Sequence, residues 1–159
     1  MKKATQLFAS AILLGILSLS SLQSNAHCEI PCGIYADSVR ITLIYEHITT
    51  IEKSMNMINE LSEQEKPDYN QLVRWVVNKE EHAKKIQEIV SQYFLHQRIK
   101  LTPADNEEAH AKYVKQLELL HNISVFAMKS KQSTDLAHIE TLREKVHNFE
   151  HVYFGGHTH

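Results

Sequence analysis

Within twelve residues, Ser24 to Tyr35, the chain reads SNAHCEIPCGIY and carries both of its cysteines. If the chain is cut after Ala26, His27 offers a free α-amine and an imidazole, and Cys28 and Cys32 offer two thiolates. The amine, the following backbone nitrogen and the two sulfurs form a plane of two nitrogens and two sulfurs around one ion. Such a square-planar set suits Ni(II) or Cu(II), whereas zinc prefers a tetrahedron. The His27 imidazole can then supply an axial fifth ligand when the metal is oxidised. Pro31, with its fixed φ and missing N–H, favours a turn that returns Cys32 to the ion. Gly33 frees the backbone to leave that turn.

The cut itself is legible upstream. Lys2 and Lys3 give a positive start, Leu7 to Leu22 is apolar and uncharged, and Ser24-Asn25-Ala26 places small residues where signal peptidases require them. The apolar run is shorter than the roughly 20 residues that a membrane-spanning helix needs. Residues 1–26 are therefore expected to be a cleaved signal peptide, leaving a chain that begins at His27, is exported to the periplasm or the medium, and has no membrane attachment. His27 stands where lipid attachment at Cys28 would need a small residue, which argues against a lipoprotein. Losing Lys2 and Lys3 takes the formal charge from −2 to −4, without the basic face that nucleic acid requires. In an oxidising compartment two cysteines pair by default. A Cys28–Cys32 ring at the extreme end of a chain would staple almost nothing, so a disulfide accounts for their number but not their place.

Four amphipathic helices must carry this segment. The first is expected from Ser38 to Leu61, with Ile41, Ile44, Ile48, Ile51, Met55 and Ile58 in steps of three and four and Asp37 or Ser38 as cap. Pro67 restarts the chain as a first-turn residue of a second helix, Asp68 to His96, with Leu72, Val76, Ala83, Ile86, Val90 and Tyr93 on one face. Thr102 to Asp105 breaks the pattern and starts a third helix, which runs to Lys129 with Val114, Leu117, Leu120, Ser124 and Met128 inward. Ser133 to Asp135 caps a fourth, carrying Ile139, Leu142, Val146, Phe149 and Tyr153, and Gly155-Gly156 ends it. Nothing alternates like a strand, and short connections imply antiparallel neighbours. The expected fold is all-α: an up-down four-helix bundle over 36–154, preceded by a hook at 27–35 and followed by a histidine-containing tail at 155–159.

His27-Cys28-Glu29-Ile30-Pro31-Cys32-Gly33-Ile34-Tyr35 resembles the nickel hook, HCxxPCGxY, of the nickel-containing superoxide dismutases, with all six fixed positions matched. The segment QLVRWVVNKEEHA, residues 71–83, is also similar to the second helix of some members. The resemblance implies a four-helix subunit in a homohexamer, one nickel ion per subunit and superoxide as substrate. It makes His27 a ligand through its amine and, in the oxidised state, its ring. It makes Cys28 a ligand through sulfur and deprotonated amide, and Cys32 one through sulfur. Tyr35 would stand over the open face and hold the small anion and ordered water. The reaction implied is disproportionation of superoxide to oxygen and hydrogen peroxide. Anionic sulfur and amide donors bring the Ni(II)/Ni(III) couple into range for it. Because the protein is net negative, basic residues near the hook, from this or a neighbouring subunit, are expected to steer the anion.

This chain departs from the family pattern in three ways. Glu29 replaces the Asp of many members. The stretch Arg40-Ile41-Thr42-Leu43 replaces the acidic residue that orients the ligand imidazole, leaving Thr42 or Glu46 for that role. The leader looks like a general export signal rather than the target of a dedicated protease.

Other patterns are weaker. His147-Asn148-Phe149-Glu150-His151 matches an inverted zinc-protease motif, but Phe149 belongs to the core stripe. His157 and His159 read as a tail able to bind a metal loosely, and His47, His82, His96, His110, His121 and His138 share no spacing. Asn122-Ile123-Ser124 fits a glycosylation pattern inside a helix, and Trp75 is expected to be partly buried. The alternative function left open is an exported nickel- or copper-binding protein without turnover. A thiol–disulfide module lacks its C-x-x-C spacing.

Overall fold

A computed structural model of the chain describes residues 36–155. Among the described residues there are four helices and no strand: α1 Asp37–Ser62, α2 Tyr69–Glu88, α3 Glu107–Gln132 and α4 Ala137–Phe154. Helix α2 runs directly into a π-helical segment, Ile89–Arg98, here named π1. Polar contacts fix the directions. Along α1, Asp37, His47 and Ser54 meet Arg98, His82 and Asn78 in descending order. Along α4 the partners of Asp37, Tyr45 and Glu52 are Tyr153, Glu150 and Arg143. Helix α1 is therefore antiparallel to both neighbours. No helix among these is long and apolar enough to cross a membrane.

The first and fourth helices bury the expected stripes. Ile41, Ile44, Ile48, Ile51 and Met55 are buried, as are Ile139, Leu142, Val146 and Phe149, while Ile58 is half-buried. Fully burying each such side chain is worth about 1.5–3 kcal/mol. Phe94 of π1 packs on the α4 stripe, meeting Phe149 and Tyr153 edge-on at ring separations of 4.9 and 5.6 Å.

Two stripes differ from expectation. In α2, Val76 is 40% exposed, and Lys79 turns inward in its place. In α3, Val114 and Met128 face solvent, and the buried residues are Leu119, Leu120, Ile123, Ala127 and Ser130. Past Leu120 the stripe steps by three to Ile123, not by four to Ser124. Both helices carry adjacent apolar residues there, so spacing alone does not select a face.

The ends also shift. Asp68, not Pro67, opens α2, and its carboxylate accepts from Gln71 N at 3.1 Å. Helix α3 starts later than expected, capped by Asn106, whose side chain accepts from Ala109 N. Asp135 accepts from Ala137 N at the start of α4, and Gly155 ends it at φ 71°. Neither Asp37 nor Ser38 caps α1. Its cap position is Ala36, without a side-chain hydrogen bond.

Candidate metal centre

The hook, residues 27–35, with its seven candidate site residues His27, Cys28, Glu29, Pro31, Cys32, Gly33 and Tyr35, lies outside the described residues, as does the tail at 156–159. What the structure does describe is the bundle end that follows residues 27–35 in the chain, because Ala36 comes directly after Tyr35. Ala36 is extended, at φ −75° and ψ 127°, and Asp37 begins α1.

Asp37 is the focus of this end. Its carboxylate accepts hydrogen bonds from the Tyr93 hydroxyl, from Arg98 Nη2 at 2.7 Å and from the Tyr153 hydroxyl at 2.8 Å. The π-helical ladder makes this convergence possible. Ile99 N donates to Phe94 O, five residues back, at 2.9 Å. In an α-helix, residues five apart stand about 140° apart around the axis; at about 4.4 residues per turn they stand about 50° apart. Tyr93 and Arg98 thus face the same carboxylate. Burial alone would raise the Asp37 pKa, but the bonds from Arg98, Tyr93 and Tyr153 outweigh it and hold it below the ordinary value. Burial and the neighbouring Asp37 push the Tyr93 hydroxyl up to about 12, so it stays protonated as a donor.

Beside this cluster lies a cavity of about 360 Å³ between α1 and α2–π1, lined by Arg40, Leu43, His47, Lys85, Gln92 and Tyr93 among others. The Arg40 guanidinium lies 5.3 Å from the Tyr93 ring centre. His47 and His82 meet there, Nδ1 to Nδ1 at 3.0 Å, with rings nearly perpendicular. Burial, reinforced by the charge of Lys85, lowers the pKa of both. Sequence spacing missed this pair because it forms across two helices. Its only trace is that both positions lie beside core residues.

The imidazole that Thr42 or Glu46 was expected to orient lies outside the described residues. The Thr42 hydroxyl donates to Ser38 O at 3.1 Å on an exposed face, and Glu46 is exposed. Among the described residues no three His, Cys, Asp or Glu side chains gather as metal ligands. His147 and His151 are exposed, while Glu150 accepts from the Tyr45 hydroxyl at 3.1 Å, so the inverted protease motif assembles no centre. Trp75 is partly buried, with Lys53 Nζ 5.9 Å from its ring centre.

The described residues form a helical bundle, and the sequence places His27, Cys28 and Cys32 ahead of its first helix. The family described as nickel-containing superoxide dismutase matches residues 22–156, spanning the hook and every described helix. The chain belongs to that family: it is an oxidoreductase, a superoxide dismutase with a nickel cofactor. No curated protein and no solved structure shows a significant match.

Proposed function

We propose that the mature chain begins at His27, after signal peptidase removes residues 1–26, and that residues 27–35 hold one nickel ion at which superoxide is converted to oxygen and hydrogen peroxide. The observation that carries this reading is the family match, which starts ahead of HCEIPCGIY and runs through the bundle. The donor set fits the metal: two thiolates, an amine and an amide are the soft and strong-field ligands that suit square-planar Ni(II). His27 would bind through its α-amine and its imidazole, Cys28 through sulfur and amide nitrogen, and Cys32 through sulfur. When bound, nickel supplies one-electron cycling between its divalent and trivalent states.

The chain's own groups do the rest. The Tyr35 hydroxyl holds the anion and an ordered water near the open face, while Glu29, Pro31 and Gly33 shape the loop. Arg40 and Lys85, both lining the cavity beside the start of α1, supply positive charge in a net negative protein and draw the anion inward. Export to the periplasm or the medium follows from the leader. In the homohexamer that the family resemblance implies, an apolar face on α2, where Tyr69, Val73 and Val77 lie four apart and are each more than half exposed, is available for contact between subunits. The test is superoxide consumption and nickel content of the chain beginning at His27, compared with Cys28→Ser and Cys32→Ser. Loss of both properties in either variant is expected. A serine variant that consumes superoxide at the parent rate would sink the assignment.

A further inference from the structure

We propose that Asp37 is the positioning residue of the metal hook: by gathering Tyr93, Arg98 and Tyr153 onto one carboxylate, it fixes the direction in which residues 27–35 leave the bundle. The inference rests on the hook assignment proposed above and extends it to a residue that no part of the hook motif contains.

Three observations carry it. First, α1 begins without a side-chain cap, so its exposed N–H groups gain nothing from Ala36. The first turn is instead held by the three bonds that Asp37 accepts, from π1 and from the end of α4. Second, this is far more than α1 needs to pack. The same pair of helices is joined further along by Tyr45 donating to Glu150 at 3.1 Å and by Arg143 pairing with Glu52 at 2.9 Å. At Asp37, by contrast, three donors from two other elements converge, and the Asp37 side chain there is only 16% exposed. Third, the π-helical segment is what brings Tyr93 and Arg98 to the same side, and departures of this kind from the α ladder are frequent at functional sites.

The lever is short. A single residue, Ala36, separates Asp37 from Tyr35, and the nine hook residues reach at most about 30 Å when fully extended. A carboxylate that pins the first turn on two sides therefore fixes where Tyr35 begins and how the loop is aimed. Misplacing the first turn would leave the ligands able to bind metal but the Tyr35 hydroxyl away from the position in which it holds the anion.

The experiment uses the full chain beginning at His27, loaded with nickel, in four further forms: Asp37→Asn, Asp37→Glu, Tyr153→Phe and Tyr45→Phe. Nickel content, kcat, KM, the electron paramagnetic resonance spectrum of the oxidised protein and the melting temperature are measured on each. Asp37→Asn is expected to retain nickel, lose about tenfold or more in kcat/KM, as supporting groups around metal sites typically do, and show an altered nickel spectrum. Asp37→Glu should recover part of both. Tyr153→Phe, which removes one donor and keeps the ring, should show the same spectral change in milder form, so the test stands even if Asp37→Asn fails to fold. Tyr45→Phe should lower the melting temperature while leaving kcat/KM and the spectrum unchanged. The inference is overturned if the Asp37 or Tyr153 variants lose stability alone, or if Tyr45→Phe disturbs activity and spectrum equally. Should the parent bind nickel yet consume no superoxide, the functional reading fails, and the spectra still decide whether Asp37 aims the hook.

Discussion

Replacing Lys79 by Met tests whether the inward turn of a charged residue in α2 stabilises the bundle. Lys79 is 4% exposed, and its ammonium donates to Lys131 O at 2.6 Å and to Ser133 O at 3.1 Å. These carbonyls belong to the last turn and the cap residue of α3, where carbonyls lack partners along the helix and a cation is favoured. A hydrogen bond from a charged donor contributes about 1.5–3 kcal/mol, so two give about 3–6 kcal/mol. Met releases the cost of burying the charge, several kcal/mol, which offsets much of that loss. A net destabilisation of about 1–3 kcal/mol remains, or about 4–12 °C in melting temperature at this chain length. Lys79→Arg, still a donor, should lose less. Burial lowers the Lys79 pKa below 10.5. In that window the unfolded chain holds the proton more often than the folded one, so parent stability relative to Lys79→Met should grow as pH rises toward 10.5. Urea unfolding of the three proteins at pH 7 and pH 10 reads both effects. A Met variant as stable as the parent at pH 7 would refute the reasoning, since the two bonds would then contribute nothing net.

Three further outcomes are expected. The lowered pKa values of His47 and His82 mean that the unfolded chain takes up protons first as pH falls below 6.5. Stability should therefore drop below that pH, by up to about 1.4 kcal/mol per pH unit for each such proton, and level off below the folded values. His82→Gln should flatten the profile, and an unchanged slope would exclude the pair as its source. Phe149→Ala should cost about 3–5 kcal/mol in urea unfolding, because the side chain is fully buried against Phe94 and Tyr153; a cost under about 1 kcal/mol would mean the core is not packed as described. Stripping nickel with a chelator should abolish superoxide consumption while far-ultraviolet circular dichroism stays helical, since the buried core is apolar and holds no metal ligands among the described residues; collapse of the helical signal would contradict that separation.

The sequence shows helix number and order because the isoleucine stripe of α1 and the Ile139 to Phe149 stripe of α4 have one apolar face each. It misleads where two apolar residues adjoin. In α2 the pair Val76-Val77 draws attention away from Lys79, whose stem packs inward while its head reaches the end of another helix. In α3 a valine and a methionine with good spacing stand exposed. The π-helical turn leaves no periodic signature, because ten residues are too few to separate its period from the α period. The proposed hook is legible for the opposite reason: its candidate donors, His27, Cys28 and Cys32, lie within six residues of one another in the sequence. The clusters at Asp37 and at His47–His82 join residues 35 to 116 positions apart, which spacing along one helix cannot reveal.

The central claim is that the α-amine of His27 is a metal ligand, created by the cut after Ala26. Its most direct test compares superoxide consumption by two nickel-loaded proteins, one beginning at His27 and the other retaining Ala26 as its first residue. Activity confined to the protein that begins at His27 is the predicted result. Equal activity in both would show that the amine is not a ligand and that the cut does not assemble the site.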